Sequence, residues 1–160
     1  MSEKNPIRVF VTHAFEETDD YLRVFEFLES VERFFYVNVS KPENLPEQGG
    51  MEAIKDELIR QIKESEVVVV VPDAFETKSD LVGYMMDVAD ANNINMIAMQ
   101  PFGGMGETAP QVAARVKDSI PWNERTMVDT IRFQARGKET SRWEVVDFPG
   151  YDADGPTDSE

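Results

Sequence analysis

Glu66-Val67-Val68-Val69-Val70-Val71-Pro72-Asp73 is the stretch from which the rest of the chain reads. Five consecutive valines offer no polar face, whereas a strand with one wet side alternates apolar and polar residues. β-Branched side chains favour the extended backbone. Such a run fits a strand covered on both faces, which is the central position of a parallel sheet. Pro72 lacks an N–H and ends the pairing.

Working back from the valines, Met51, Ile54, Leu58 and Ile62 recur at helical spacing and form one apolar stripe. The loop before them, residues 41–50, holds two prolines and two glycines. Residues 34–39 read as a strand. Tyr21, Val24, Phe25 and Leu28 line one helical face, entered through Thr18-Asp19-Asp20, a capping hydroxyl followed by acids that complement the helix dipole. Ile7-Arg8-Val9-Phe10-Val11 is the first strand.

Working forward, Leu81, Val82, Met85, Met86 and Ala89 share a helix face that Asn92-Asn93 closes. Residues 95–99 form a fourth strand and 101–106 a glycine-rich loop. A short helix is expected over 111–117 and a short strand over 119–122. The last helix, 124–135, turns Met127, Val128, Ile131 and Ala135 inward, and Gly137 caps it. Residues 142–148 read as an added edge strand, and 149–160 as an acidic, disordered tail. Alternating strands and helices with right-handed crossovers predict one α/β domain over 1–148. Its sheet is doubly wound, five-stranded and parallel, in the flavodoxin-like, TIR-like order 2-1-3-4-5. Ligands of such sheets bind beyond the C-terminal strand ends, between strands 1 and 3.

The charge balance narrows the partners. Thirty-one acids against 16 bases give a net charge of −15. Most of that surface repels a phosphate backbone, so no nucleic-acid partner is expected. No apolar run approaches the ~20 residues that span a bilayer and no leader is apparent, so no membrane partner is expected and the cytoplasm is the expected compartment. Cysteine is absent. Thiolate chemistry and cysteine metal sites are thereby excluded.

The strand exits supply candidate ligand-binding residues: Thr12, His13 and Phe15 after strand 1, Asp19 at the next helix start, Ser40 and Lys41 after strand 2, Asp73 and Phe75 after strand 3. Neither a Walker loop nor a G-x-G-x-x-G motif is present. Gly103-Gly104-Met105-Gly106 follows strand 4, where no phosphate cradle is expected. His13 is the sole histidine and has no partner set at ligand spacing, so no metal and no certain cofactor is expected. A receiver-like phospho-signalling domain would use Asp73 as acceptor. It lacks the paired acids after strand 1 and the lysine after strand 5, and Glu16 and Glu17 lie a few residues late.

Several segments resemble a known family. Ile7-Arg8-Val9-Phe10-Val11-Thr12-His13-Ala14-Phe15 is similar to the opening strand and loop of TIR-like domains. It is most similar to the prokaryotic TIR-like family that includes the NAD-consuming subunit of the Thoeris antiphage system. Ile62-Lys63-Glu64-Ser65-Glu66, Leu81-Val82-Gly83-Tyr84-Met85-Met86-Asp87-Val88-Ala89 and Ile120-Pro121-Trp122-Asn123 resemble later segments of that family, as does Met127-Val128-Asp129-Thr130-Ile131-Arg132. The likeness covers about residues 7–136.

The resemblance implies signalling or antiphage defence by self-association or pairing with other TIR-like domains, with NAD or another small nucleotide as ligand or substrate. In the family a Trp-Val-x-x-Glu motif supplies the catalytic carboxylate. Here Leu81, Val82 and Met85 stand at those positions, and a thioether cannot stabilise the oxocarbenium-like state of N-glycosidic cleavage. The expected function is therefore binding of a nucleotide or protein partner with weak or no catalysis. The alternative is an NAD glycohydrolase or cyclase, an NAD+ nucleosidase that substitutes Asp80 or Asp87 as the acid. Phe34, Phe35, Phe102 and Trp143 are candidate partner contacts.

Overall fold

A computed structural model describes residues 1–104 and 106–137. The expectations for 142–148, Trp143, the 149–160 tail and Met105 lie outside the described residues.

The order of elements is β1 (Ile7–Val11), α1 (Asp19–Glu29), β2 (Tyr36–Asn38), α2 (Gly50–Lys63), β3 (Val67–Val70), α3 (Pro72–Thr77), α4 (Ser79–Ala91), β4 (Asn95–Met99), α5 (Pro110–Ala113), β5 (Asp118–Ile120) and α6 (Glu124–Arg136). The five strands form one sheet in the order β2-β1-β3-β4-β5, and every pairing is parallel. The valine strand lies at the centre. It pairs Val67 with Val9 on one side and with Asn95 on the other. No side chain from Val67 to Val71 is more than 2% exposed, so both faces of this strand are covered.

The helices follow from handedness. The crossover from β1 to β2 runs one way across the sheet and the next runs the other way, so right-handed connections place α1 and α2 on opposite faces. Accordingly α1 packs with α6, and α2 packs with α4. Thr18 caps α1 by accepting from the Tyr21 N–H at 3.3 Å, and Asn123 caps α6 by accepting from the Thr126 N–H at 2.9 Å. Gly137 ends α6 in the left-handed region, with φ 68. At the opposite strand ends Arg136 grips the Glu66 carboxylate with Nε at 2.5 Å and Nη2 at 3.0 Å. That pair ties the last helix to the entrance of the valine strand.

Several boundaries and one burial differ from expectation. β5 runs Asp118–Ile120 rather than 119–122. β2 starts at Tyr36, because Arg33 turns with φ 63 and Phe34 leaves the ladder for the core. Pro72 ends the strand but also opens α3, since a proline without an N–H suits the first helical position equally well. α5 begins at Pro110 and is four residues long. Met51 lies in the first turn of α2 and is 57% exposed. Its periodicity matched the core stripe, but that turn lies beyond the part of α2 that buries Leu58 and Ile62.

No helix among the described residues is long and apolar enough to cross a membrane.

Candidate functional site

The C-terminal rim of the sheet has a closed part and an open part. The closed part is built on two helix starts that cap each other. Asp73, in the first turn of α3, accepts the Thr18 hydroxyl at 2.8 Å and the Asp20 N–H at 3.0 Å. The Asp20 carboxylate in turn accepts the Asp73 N–H at 3.1 Å. Two orphan helix donors are satisfied reciprocally. Asp20 is buried, which raises its carboxyl above the usual range, and the nearby Asp73 charge pushes the same way. The Asp73 N–H and Arg23 oppose the rise. Arg23 holds Asp20 at 2.5 Å and lies 3.8 Å over the Phe102 ring. Both oxygens of Asp73 carry hydrogen bonds, so a phosphoacceptor role would first have to open this latch.

Thr12 and His13 have no solvent exposure. Thr12 Oγ1 accepts the Val71 N–H at 3.1 Å, which joins β1 to the exit of β3. His13 Nε2 lies 3.0 Å from Gln61 Oε1, and Nδ1 accepts the Phe15 N–H at 3.1 Å. Gln61 also accepts the Lys41 N–H at 2.8 Å and donates to Glu57 at 2.9 Å. Ser40 is buried between the Tyr21 hydroxyl, at 3.1 Å, and Asn38. Thr12, His13 and Ser40 thus stand beneath the rim, with their polar groups engaged inside the fold. Asp19 and the Lys41 side chain are exposed and line none of the described recesses. Phe75 is half-buried and walls a small apolar recess between the exits of β3 and β4, with Met99 and Val112.

The open part is a groove of about 1010 Å³ between the β1–α1 loop, the start of α2 and the outer face of α4. Phe15 stands at one wall with φ 65, a left-handed conformation that an aromatic residue adopts at a cost of about 1–3 kcal/mol. Tyr84 stands at another, with the Lys55 ammonium 4.9 Å from its ring centroid. Lys78 and Asp80 border the groove where α3 passes into α4. Asp80 is exposed.

Asp87 also reaches the groove, but Arg115 binds it at 2.7 Å while holding Asp90 at the same distance. Asp80 therefore offers the freer carboxylate of the two candidate acids.

Met85 has no solvent exposure and belongs to the hydrophobic core. The α4 residues that line the groove include Asp80, Leu81, Tyr84 and Asp87, which are spaced as one helical face. Met85 lies one residue off that face. No glutamate of α4 exists to take its place.

Of the rim candidates, the groove therefore brings together Phe15, Asp80 and Asp87. It adds Lys55 and Tyr84, which come from helices, and Lys78, from the junction of α3 and α4; reading by strand exits passes over all three. Asp80 and Tyr84 share the spacing i, i+4 on α4, with Asp80 exposed and Tyr84 half-buried, a pairing detectable from the chain. Gln61 carried a different signal, a polar residue beside the buried stripe positions Leu58 and Ile62. Among the described residues no group of three or more His, Cys, Asp or Glu side chains is placed to hold a metal ion. No protein-family model matches this chain, and a search of curated proteins returned no match.

Proposed function

We propose that this chain is a TIR-like signalling or defence-associated domain that binds a small nucleotide in the Phe15–Tyr84 groove without efficient catalysis. The observation that carries the reading is the composition of that groove. It pairs two aromatic walls with three bases, Lys55, Lys78 and Arg115, and three acids, Glu16, Asp80 and Asp87, while α4 presents no glutamate to it. Aromatic faces accept a base by stacking. Arg115 is held by Asp87 and Asp90, so Lys55 and Lys78 are the cations left to meet an anion, and Glu16 and Asp80 at the same groove limit the charge it accepts. The location supports the same reading, because the β1–α1 loop leaves the sheet where its strand order reverses. In this proposal the signal passes onward by self-association or by pairing with another TIR-like domain.

NAD is the probe that tests it. Calorimetric titration of the purified chain with NAD should give saturable binding that Tyr84→Ala weakens about tenfold, as loss of one stacking contact predicts. Prolonged incubation should release no nicotinamide above the blank. The competing reading, an NAD glycohydrolase or cyclase, has one observation in its favour: Asp80 stands exposed at the groove. Nicotinamide release that disappears on Asp80→Ala would establish that reading and end ours.

A further inference from the structure

His13 is the one histidine of the chain, it is fully buried, and the groove does not touch it. Its two ring nitrogens are nevertheless constrained from opposite sides. Gln61 donates through Nε2 to the Lys41 carbonyl at 3.2 Å and accepts the Lys41 N–H on Oε1 at 2.8 Å. That pair fixes which end of the amide faces the imidazole. His13 Nε2, 3.0 Å from this oxygen, must then be the donor. The neutral ring has its lone pair on Nδ1, where the Phe15 N–H arrives at 3.1 Å. A second proton has only Nδ1 to occupy, and there it would turn an acceptor into a donor that faces another donor.

Phe15 is what this bond holds in place. It sits at φ 65, a conformation that persists only where its surroundings enforce it. The His13 ring supports the Phe15 ring as well, edge to face at 5.1 Å.

We infer that His13, through its neutral Nδ1, is the positioning residue of the Phe15 wall, and that protonating it releases Phe15 and disables the groove. The effect on binding rests on the ligand reading above; the effect on Phe15 does not. The groups around the imidazole are the Tyr21 ring from α1, Lys41 and Glu43 from the loop after β2, and Glu57 with its ion-pair partner Arg60 from α2. Burial lowers the imidazole pKa, against the Gln61 hydrogen bond and the Glu43 and Glu57 charges. The resting ring is thus neutral near pH 7, and the switch works on acidification.

Because the chain has a single histidine, long-range proton–nitrogen spectra of the full-length protein report this ring alone. Near neutral pH they should show Nε2 protonated and Nδ1 bare. On acidification the Phe15 amide resonance should move with the same midpoint as the ring. NAD affinity should fall about tenfold per pH unit below that midpoint.

His13→Asn places an amide oxygen near the Nδ1 position and cannot titrate, so it should bind NAD with a flat profile over the same range. His13→Gln reaches Gln61 but leaves the Phe15 N–H unpaired, so it should bind weakly at every pH. A proton found on Nδ1 at rest, a Phe15 amide that stays still while the ring titrates, or a His13→Asn variant as acid-sensitive as the parent would each overturn the inference. If NAD fails to bind at any pH while the Phe15 amide follows the ring, the positioning role stands and the ligand reading falls. The pH titration of the unmodified chain decides the matter even if a variant does not fold.

Discussion

Asp73 opens α3 and Asp80 opens α4, each carboxylate standing in the first turn of its helix. Asp73 is consumed by architecture, its two oxygens accepting from Thr18 and Asp20. Asp80 instead borders an open groove. The difference lies in what arrives opposite. α1 starts beside α3 and brings backbone and hydroxyl donors that Asp73 accepts. The groove beside Asp80 is lined instead by Phe15, Leu45, Met51 and Ile54 together with Lys55 and Lys78, and none of these donates to Asp80 among the described hydrogen bonds. An acid at a helix start is thus either a cap or a candidate site, and its neighbour across the rim decides which.

The comparison breaks most readily at Asp73. Replacing it with Ala strands the Thr18 hydroxyl and the Asp20 N–H, so Asp73→Ala should cost about 3 kcal/mol in urea unfolding. The same change at Asp80 should stay within about 0.5 kcal/mol. Equal losses at the two positions would erase the distinction between latch and groove.

Thr12→Val tests the buried floor of the closed part. The Val71 N–H loses its acceptor with no water to replace it, and about 2 kcal/mol of stability should go with it.

A smaller effect sharpens the picture at Asp20. Burial raises its folded pKa, so the native state binds this proton more readily than the unfolded chain does. Raising the pH from the unfolded value through the folded one therefore removes stability at this site. Asp20→Asn keeps an oxygen for the Asp73 N–H and avoids burying a charge, but loses the Arg23 pair. It should shift stability by less than about 1 kcal/mol at neutral pH and abolish that acid-side loss. Thermal melts of both proteins across the acidic range check the sign.

Much of the fold was legible in the residues. The valine run announces a strand buried on both faces, and the alternation around it announces parallel crossovers. Thr18 and Gly137 mark their helix ends because capping is local chemistry. What local pattern could not separate were residues with two uses. Pro72 ends a strand and starts a helix by the same missing N–H. Met51 has the spacing of a core residue yet faces a groove, because periodicity reports a helix face and not what covers it. Met85 stands where the resemblance places a cleft acid, yet its helical spacing with Val82, Met86 and Ala89 marks it as core, and the core encloses it.

The site was less legible, for a related reason. Phe15 lies at a strand exit, where a ligand rim is expected. Lys55 and Tyr84 come from helices far apart in the chain, and nothing in either segment states that they meet. His13 and Thr12 stand at the same exit as Phe15 but point beneath it, and the alternation of a strand breaks down in the loop that follows.

The sequence by itself determined the order of elements, the central strand and the all-parallel α/β class, because these depend on side-chain periodicity and β-branching within a few residues. Only the tertiary structure decided which polar groups were spent on one another and which were left facing solvent. That choice depends on distances between segments that the chain brings together across the sheet.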